Sequence, residues 1–186
     1  MSWFNVLKGA YPSLQQIDKT LNVASGQTGI VRGSCLYQVG TEFLLAGAAQ
    51  ATDEKAYILF ALMAQDDLVA GMAGGIGQGV TPGATVPAGY PALAGTARIT
   101  GLACGMPFEF ETDQYAAASY TVGQLLSVGA SGKLVAHGSG DNVIAQVTKA
   151  VTTRWVNSAV AVTGWRTGAN VNVLTARSLW IPTLTV

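Results

Sequence analysis

The sequence predicts an all-β fold, an antiparallel β-barrel or sandwich in which any helix is short. Three observations predict it. Short runs rich in Val, Ile, Thr and aromatic residues recur along the 186 residues, and glycine-containing turns separate them. Several runs alternate apolar and polar residues, which is the period of a half-buried strand. Five runs crowd into about 55 residues after residue 96, and this density favours antiparallel meanders.

The N-terminal residues differ in character from the rest of the chain. Residues 1–27 mix aromatic and polar side chains without sustained alternation, so we predict an N-terminal arm there and a single β domain over residues 28–186. Residues 13–21 have the spacing of two helical turns, with Ser13 as the N-cap. The arm either packs on its own domain or reaches over a neighbouring subunit. Its candidate interface residues are Trp3, Phe4, Tyr11, Leu14 and Ile17.

The predicted strands fall into three groups. The middle group contains PFEFET, where alternation directs Phe108 and Phe110 to a core and Glu109 and Glu111 to a solvated face. The tail is predicted to add three strands, in AVAVTGW, NVNVLTA and SLWIPTLTV, with a turn at TGAN (167–170). The other candidate strands are residues 29–39, 41–45, 55–63, 97–103, 107–112, 120–122, 133–136 and 143–151.

A long loop is predicted at residues 71–95, which hold eight Gly and three Pro. Loops of this length within a domain are usually functional or ordered by a partner. We favour ordering against a neighbouring subunit, and a mobile surface loop is the alternative.

Composition favours a protein whose surface meets other protein. Charged residues make up 11% of the chain and the formal net charge is zero, whereas an average soluble domain carries about 25% charged residues. The mean hydropathy is +0.35. A soluble monomer with a generous core is the alternative.

The sequence offers no candidate membrane span or secretion signal. The strongest apolar run, residues 56–64, is too short to cross a bilayer, and the first residues lack the apolar stretch of a signal peptide. We therefore expect a protein made in a cytoplasm. In that compartment two free, buried thiols are favoured over a disulfide for Cys35 and Cys104.

The motifs of enzymes are incomplete, so we expect no catalytic residue, cofactor or metal. The glycine run at residues 74–79 lacks the third glycine of a dinucleotide loop, and Gly132-Lys133 lacks the rest of a phosphate loop. His137 with Ser139 and Asp141 lacks a nucleophile elbow, so a solvated turn is favoured. The acidic groups, Asp66 with Asp67 and Glu109 with Glu111 and Asp113, do not have calcium-loop spacing.

Arginine and tryptophan lie close together in the last strands. The ten Lys and Arg residues are scattered along the chain and do not cluster, so we expect no nucleic-acid partner. Arg beside Trp is typical of protein interfaces, where both are enriched. The candidate interface residues here are Trp155, Trp165, Arg166 and Trp180.

One third of the chain resembles a known family. The segments RITGL, PFEFETDQY and YTVGQLLSVGASGKLVAHGSGDNVIAQV resemble small decoration, or head-stabilising, proteins of tailed bacteriophages, and SLWIPTL is similar to their closing strand. Gly123, Gly132 and Gly140 would form structural turns in this pattern. The core it predicts holds Val122, Leu134, Val143, Ile144 and Val147.

The resemblance implies a non-enzymatic virion protein. It implies a β-barrel-like fold, a homotrimer, and the major capsid protein as partner on the capsid exterior, where the protein bridges capsid subunits and stabilises the head. The alternative is a head-fibre subunit, or a head-to-tail or tail structural subunit. If residues 1–20 are an attachment arm, their deletion should weaken capsid binding and leave the β domain folded.

Overall fold

A computed structural model of the chain describes residues 4–9, 18–24, 27, 30–62, 98–105, 107–157 and 168–182. Within them, the strands form two sheets, so the prediction of an all-β barrel or sandwich is confirmed. One four-residue helix, α1 (Ala48–Ala51), lies between the fourth and fifth strands. The strands are β1 (Phe4–Gly9), β2 (Asp18–Val23), β3 (Cys35–Val39), β4 (Glu42–Leu45), β5 (Ile58–Ala61), β6 (Arg98–Ala103), β7 (Phe108–Thr112), β8 (Leu125–Val128), β9 (Leu134–Ala136), β10 (Val143–Asn157) and β11 (Gly168–Ile181).

Five strands close into a small barrel in the order β2-β4-β3-β5-β6. Neighbours are antiparallel except β2 and β4, which are parallel through Asn22↔Glu42 and Val23↔Phe43. The barrel has its own apolar core, because inward-pointing side chains fill a barrel of this size. The buried members of this core are Val23, Ile30, Leu36, Phe43, Leu59, Ala61 and Ile99.

The other six strands form an antiparallel sheet in the order β1-β7-β11-β10-β8-β9. Its inner face packs against one wall of the barrel and encloses the larger core. Phe60 of the barrel packs there against Phe108 and Phe110 of β7, with ring centroids 6.0 and 4.8 Å apart. Both rings of β7 therefore face the core, as the alternation in PFEFET predicts.

Strand β5 shows why one run of the sequence does not alternate. All four residues of Ile58–Ala61 are buried. Ile58 and Phe60 belong to the larger core, whereas Leu59 and Ala61 belong to the barrel core. Because successive side chains of a strand point to opposite faces, a strand between two cores is apolar throughout.

Strands β10 and β11 are much longer than the sheet that contains them. Strand β8 pairs with β10 at Ala145 and Gln146, and β7 pairs with β11 over residues 174–177. Beyond these points six residue pairs, from Thr152↔Val173 to Asn157↔Gly168, join β10 and β11 alone among the described strands. We call this two-stranded segment, residues 152–157 and 168–173, the ribbon.

Two strand predictions for the C-terminal half are wrong. Residues 120–122 are not a strand: the Gln124 N–H donates to the Thr121 carbonyl in a turn, and Val122 is 65% exposed instead of filling the core. Residues 170–181 are not two strands, because β11 runs without a break from Gly168 to Ile181. Residues 168–170 of the predicted TGAN turn are the first residues of this strand. Pairing with β10 along nearly the whole length of β11 outweighs the local turn preference of Gly and Asn. Leu134, Val143, Ile144 and Val147 are buried, as predicted.

Most of the described residues within 1–27 belong to the sheets. Strand β1 pairs with β7, and β2 pairs with β6 over five residues from Asp18↔Leu102 to Asn22↔Arg98. Residues 18–21 are therefore strand and not helix, because main-chain pairing with β6 replaces the short helix that their spacing favours. Residues 10–17 and the predicted loop at 71–95 lie outside the described residues, and the division into arm and domain stays a prediction. No helix within the described ranges is long and apolar enough to cross a bilayer.

Candidate functional site

Two predicted interface residues contact the chain's own core. Phe4 is half-buried, and its ring centroid lies 5.3 Å from that of Phe110 and 5.9 Å from that of Phe60. Trp180 is also half-buried and meets Tyr57 edge to face at 5.0 Å. Of the others, Trp155 lies in β10, and the structure does not describe its side chain. The remaining predicted interface residues, Trp3, Tyr11, Leu14, Ile17, Trp165 and Arg166, lie outside the described residues.

The three predicted turn glycines all have positive φ angles. The values are 89° at Gly123, 66° at Gly132 and 87° at Gly140, a region that side chains with a Cβ rarely adopt. Gly123 and Gly140 face open space. A Cβ on Gly132, in contrast, would lie 2.6 Å from Leu45 Cδ1 and 2.9 Å from the Cys35 carbonyl oxygen. Gly132 therefore lets the turn after β8 pack directly on the barrel.

The His137 turn does not have the geometry of a catalytic triad. His137 Nε2 lies 3.0 Å from the main-chain oxygen of Asp141. The Asp141 carboxylate accepts a hydrogen bond from the Gly138 N–H at 2.8 Å, so it closes the turn instead of orienting the imidazole ring. The described residues also hold no group of three or more His, Cys, Asp or Glu side chains placed to bind a metal ion.

Both thiols are free and buried, as predicted. Cys35 belongs to β3 and Cys104 follows β6, and both contribute to the larger core. Burial raises the pKa of the Cys104 thiol to about 12 and also raises the pKa of Cys35. Buried, protonated thiols are poor nucleophiles, so the two side chains act as small apolar residues.

The outer face of the six-stranded sheet, which turns away from the barrel, carries a polar network. Glu109 accepts a hydrogen bond from the Thr148 hydroxyl at 2.8 Å, and the Arg177 guanidinium donates to Gln146 Oε1 at 2.9 Å. Glu111, which we predict on a solvated face, is instead only 2% exposed. The prediction is wrong because alternation identifies the face on which a side chain lies, not what covers that face.

An ion pair joins the ribbon to this face. Arg154 Nη2 lies 2.5 Å from Glu111 Oε1, and Arg154 Nε lies 3.2 Å from both carboxylate oxygens. The hydrogen bonds to Glu111, and its negative charge, raise the pKa of Arg154. The Arg154 side chain remains half exposed, so a charged group at the surface fixes a buried carboxylate. Sequence reasoning missed this pair, since 43 residues separate its members and no local pattern links them.

The residues around Glu111 are also covered. Thr175 is opposite Glu111 in the register of β11 and β7, and it is 1% exposed. Its hydroxyl oxygen has no hydrogen-bond partner among the described residues. Val173, two residues earlier and hence on the same face, is fully buried. The outer face is therefore closed where β11 passes from the sheet into the ribbon, and this region is the candidate functional site.

Comparisons with protein-family models, with curated proteins and with solved structures find no match for the chain. The all-β fold rests on the strand pairing itself, and the resemblance over residues 98–150 stays a prediction.

Proposed function

We propose that the chain is a structural virion protein that binds the outer surface of a phage head and stabilises the head by bridging capsid subunits. The observation that carries the proposal is the ribbon. Its six residue pairs have no third described strand beside them, and isolated two-stranded segments are marginally stable in water. A ribbon of this kind gains stability when its free edges and faces are buried against other protein.

The surface chemistry supports a protein partner. Within the ribbon, Thr152, Thr153, Asn170 and Asn172 are exposed and uncharged, and the charge of Arg154 is paired with that of Glu111. Such a surface can be buried without the large cost of desolvating charges. The low charge of the whole chain, 11% of residues, supports the same interpretation.

The proposed mechanism is mechanical and involves no turnover. Each copy would add buried area across a joint between capsid subunits and so oppose the outward pressure of packaged DNA. An interface of about 2,000 Å² in total would contribute at most about 50 kcal/mol before the costs of ordering and association are subtracted. A small net binding free energy per copy, repeated over many copies, is sufficient to stabilise a shell.

The test combines sedimentation velocity of the purified chain with co-sedimentation on phage heads assembled without it. We expect a trimer that binds empty heads at a fixed stoichiometry. Rings formed without heads, or a monomer that does not bind heads, would contradict the proposal and favour a tail or fibre subunit.

A pair of matched variants locates the contact surface. Thr153→Glu places a charge on the exposed ribbon, and Thr121→Glu places the same charge in the exposed turn before β8. If the ribbon contacts the capsid, Thr153→Glu lowers head occupancy and Thr121→Glu does not, since burying a new charge is costly. Equal occupancy for both variants would exclude the ribbon as the contact surface.

A further inference from the structure

The position of Arg154 requires the ribbon to bend. Arg154 pairs with Val171 in the ribbon, whereas Glu111 pairs with Thr175 in the sheet, on the far side of β11. In a flat sheet the Cα atoms of Arg154 and Glu111 would be separated by two strand spacings of about 4.8 Å and by four residues of about 3.3 Å along β11. These separations place the two atoms about 16 Å apart. An arginine and a glutamate side chain do not span that distance, yet they meet at 2.5 Å. The ribbon therefore bends or twists toward the outer face of the sheet.

The backbone supplies a place for this bend. Lys149 pairs with Thr175 and Thr152 pairs with Val173, so β10 advances three residues while β11 advances two. The extra residue is a β-bulge, which bends its strand and increases the local twist. The bulge lies where the ribbon leaves the sheet, between the last pairs with β7 and β8 and the first pair of the ribbon.

We propose that the Arg154–Glu111 ion pair is a clasp that fastens the ribbon to the outer face of the sheet, and that the bulge at residues 149–152 is the hinge on which the ribbon is released. The ribbon then has two positions, docked and released, and the ion pair sets the ratio between them. The half-exposed arginine can exchange its partner for water, whereas the buried carboxylate can do so only when the ribbon lifts.

The covered residues support a docked position. Val173 and Thr175 have almost no exposed surface although they lie on the outer face, and the Thr175 hydroxyl has no hydrogen-bond partner among the described residues. A buried hydroxyl without a partner makes docking less favourable, because release restores its hydrogen bonds to water. A clasp opposed by such a group is suited to reversible opening.

The test is hydrogen exchange on the isolated chain, so it does not depend on the proposed capsid function. Arg154→Gln should accelerate amide exchange in residues 152–157 and 168–173 about tenfold, as expected for loss of a charge-assisted hydrogen bond. Exchange in the sheet segments, residues 143–147 and 174–177, should stay unchanged. Arg177→Gln is the matched control, because Arg177 lies on the same face but bonds to Gln146 of the adjacent strand. The control should not alter exchange in the ribbon.

Two further variants test the pairing itself. Arg154→Lys keeps the charge without the two-pronged geometry and should give an intermediate acceleration. The double variant Arg154→Gln, Glu111→Gln should accelerate exchange no more than the single substitution with the larger effect does. The reason is that both substitutions remove the same ion pair. The clasp is refuted if Arg154→Gln leaves exchange in the ribbon unchanged, or if it accelerates the ribbon and the sheet equally.

Discussion

The side-chain amide of Asn142 donates a hydrogen bond to the carbonyl oxygen of Asp53 at 2.8 Å and a second one to that of Gln50 at 3.2 Å. Asn142 is fully buried and immediately precedes β10, whereas Gln50 and Asp53 lie in and just after α1. One asparagine thus satisfies carbonyl groups at the end of the helix and holds the six-stranded sheet against the barrel.

Replacing Asn142 by Ala should destabilise the fold by about 2–3 kcal/mol, because two carbonyl groups lose a donor and the fully buried side chain leaves a cavity. Chemical denaturation measures the change in the free energy of unfolding. Asn172→Ala is the control, since Asn172 is exposed in the ribbon and its loss should cost no more than about 0.5 kcal/mol. Equal costs at the two positions would mean that the Asn142 hydrogen bonds do not hold the two sheets together.

Replacing Gly132 by Ala should cost about 3 kcal/mol or more, because the new Cβ meets Leu45 and the Cys35 carbonyl in addition to adopting a positive φ. Gly123→Ala is a direct comparison, since Gly123 also has a positive φ but faces open space. It should cost only about 1 kcal/mol. Thermal denaturation of both variants separates the effect of backbone strain from that of the packing clash. A similar loss of stability in both variants would contradict the close contact at Gly132.

Stability should fall as the pH rises above 9. The ordinary pKa of the Cys104 thiol is 9.0, and burial raises it to about 12 in the folded chain. Between these values the unfolded state has released the proton and the folded state retains it, so alkaline pH favours unfolding. At pH 10 the loss should be about 1 kcal/mol for each buried thiol. Unfolding curves at pH 8 and pH 10 measure the loss, and Cys104→Ala should reduce it. An unchanged loss in that variant would exclude Cys104 as its source.

Phe4→Ala should destabilise the fold by about 2 kcal/mol, because its ring packs on Phe60 and Phe110. Asn5→Ala tests the exposed neighbour and should stay within about 0.5 kcal/mol of the unchanged protein.

Deletion of residues 1–20 removes β1 and half of β2, so we now expect it to destabilise both sheets and not only to weaken attachment. If the chain without residues 1–20 keeps the unfolding midpoint of the full chain, the attachment-arm interpretation is restored.

The candidate site was only partly predictable from the sequence. The glycine turns are visible because Gly marks reversals of the chain, and Gly123, Gly132 and Gly140 all have positive φ angles. The Arg154–Glu111 pair was not visible, because an ion pair between distant residues leaves no local pattern. The burial of Thr175 was not visible either, because it also depends on contacts between residues far apart in the chain.

The sequence alone determined the class of the fold and the direction of many side chains. Alternation placed Phe108 and Phe110 in the core, and the apolar run at residues 55–63 indicated the strand that the structure shows as β5. Only the tertiary structure decided that residues 168–181 form one strand, that β1 belongs to the six-stranded sheet and β2 to the barrel, and that Arg154 of the ribbon pairs with Glu111. The physical reason is that side-chain periodicity is a local property. Strand partners and the cover of each face are set by contacts between residues far apart in the chain.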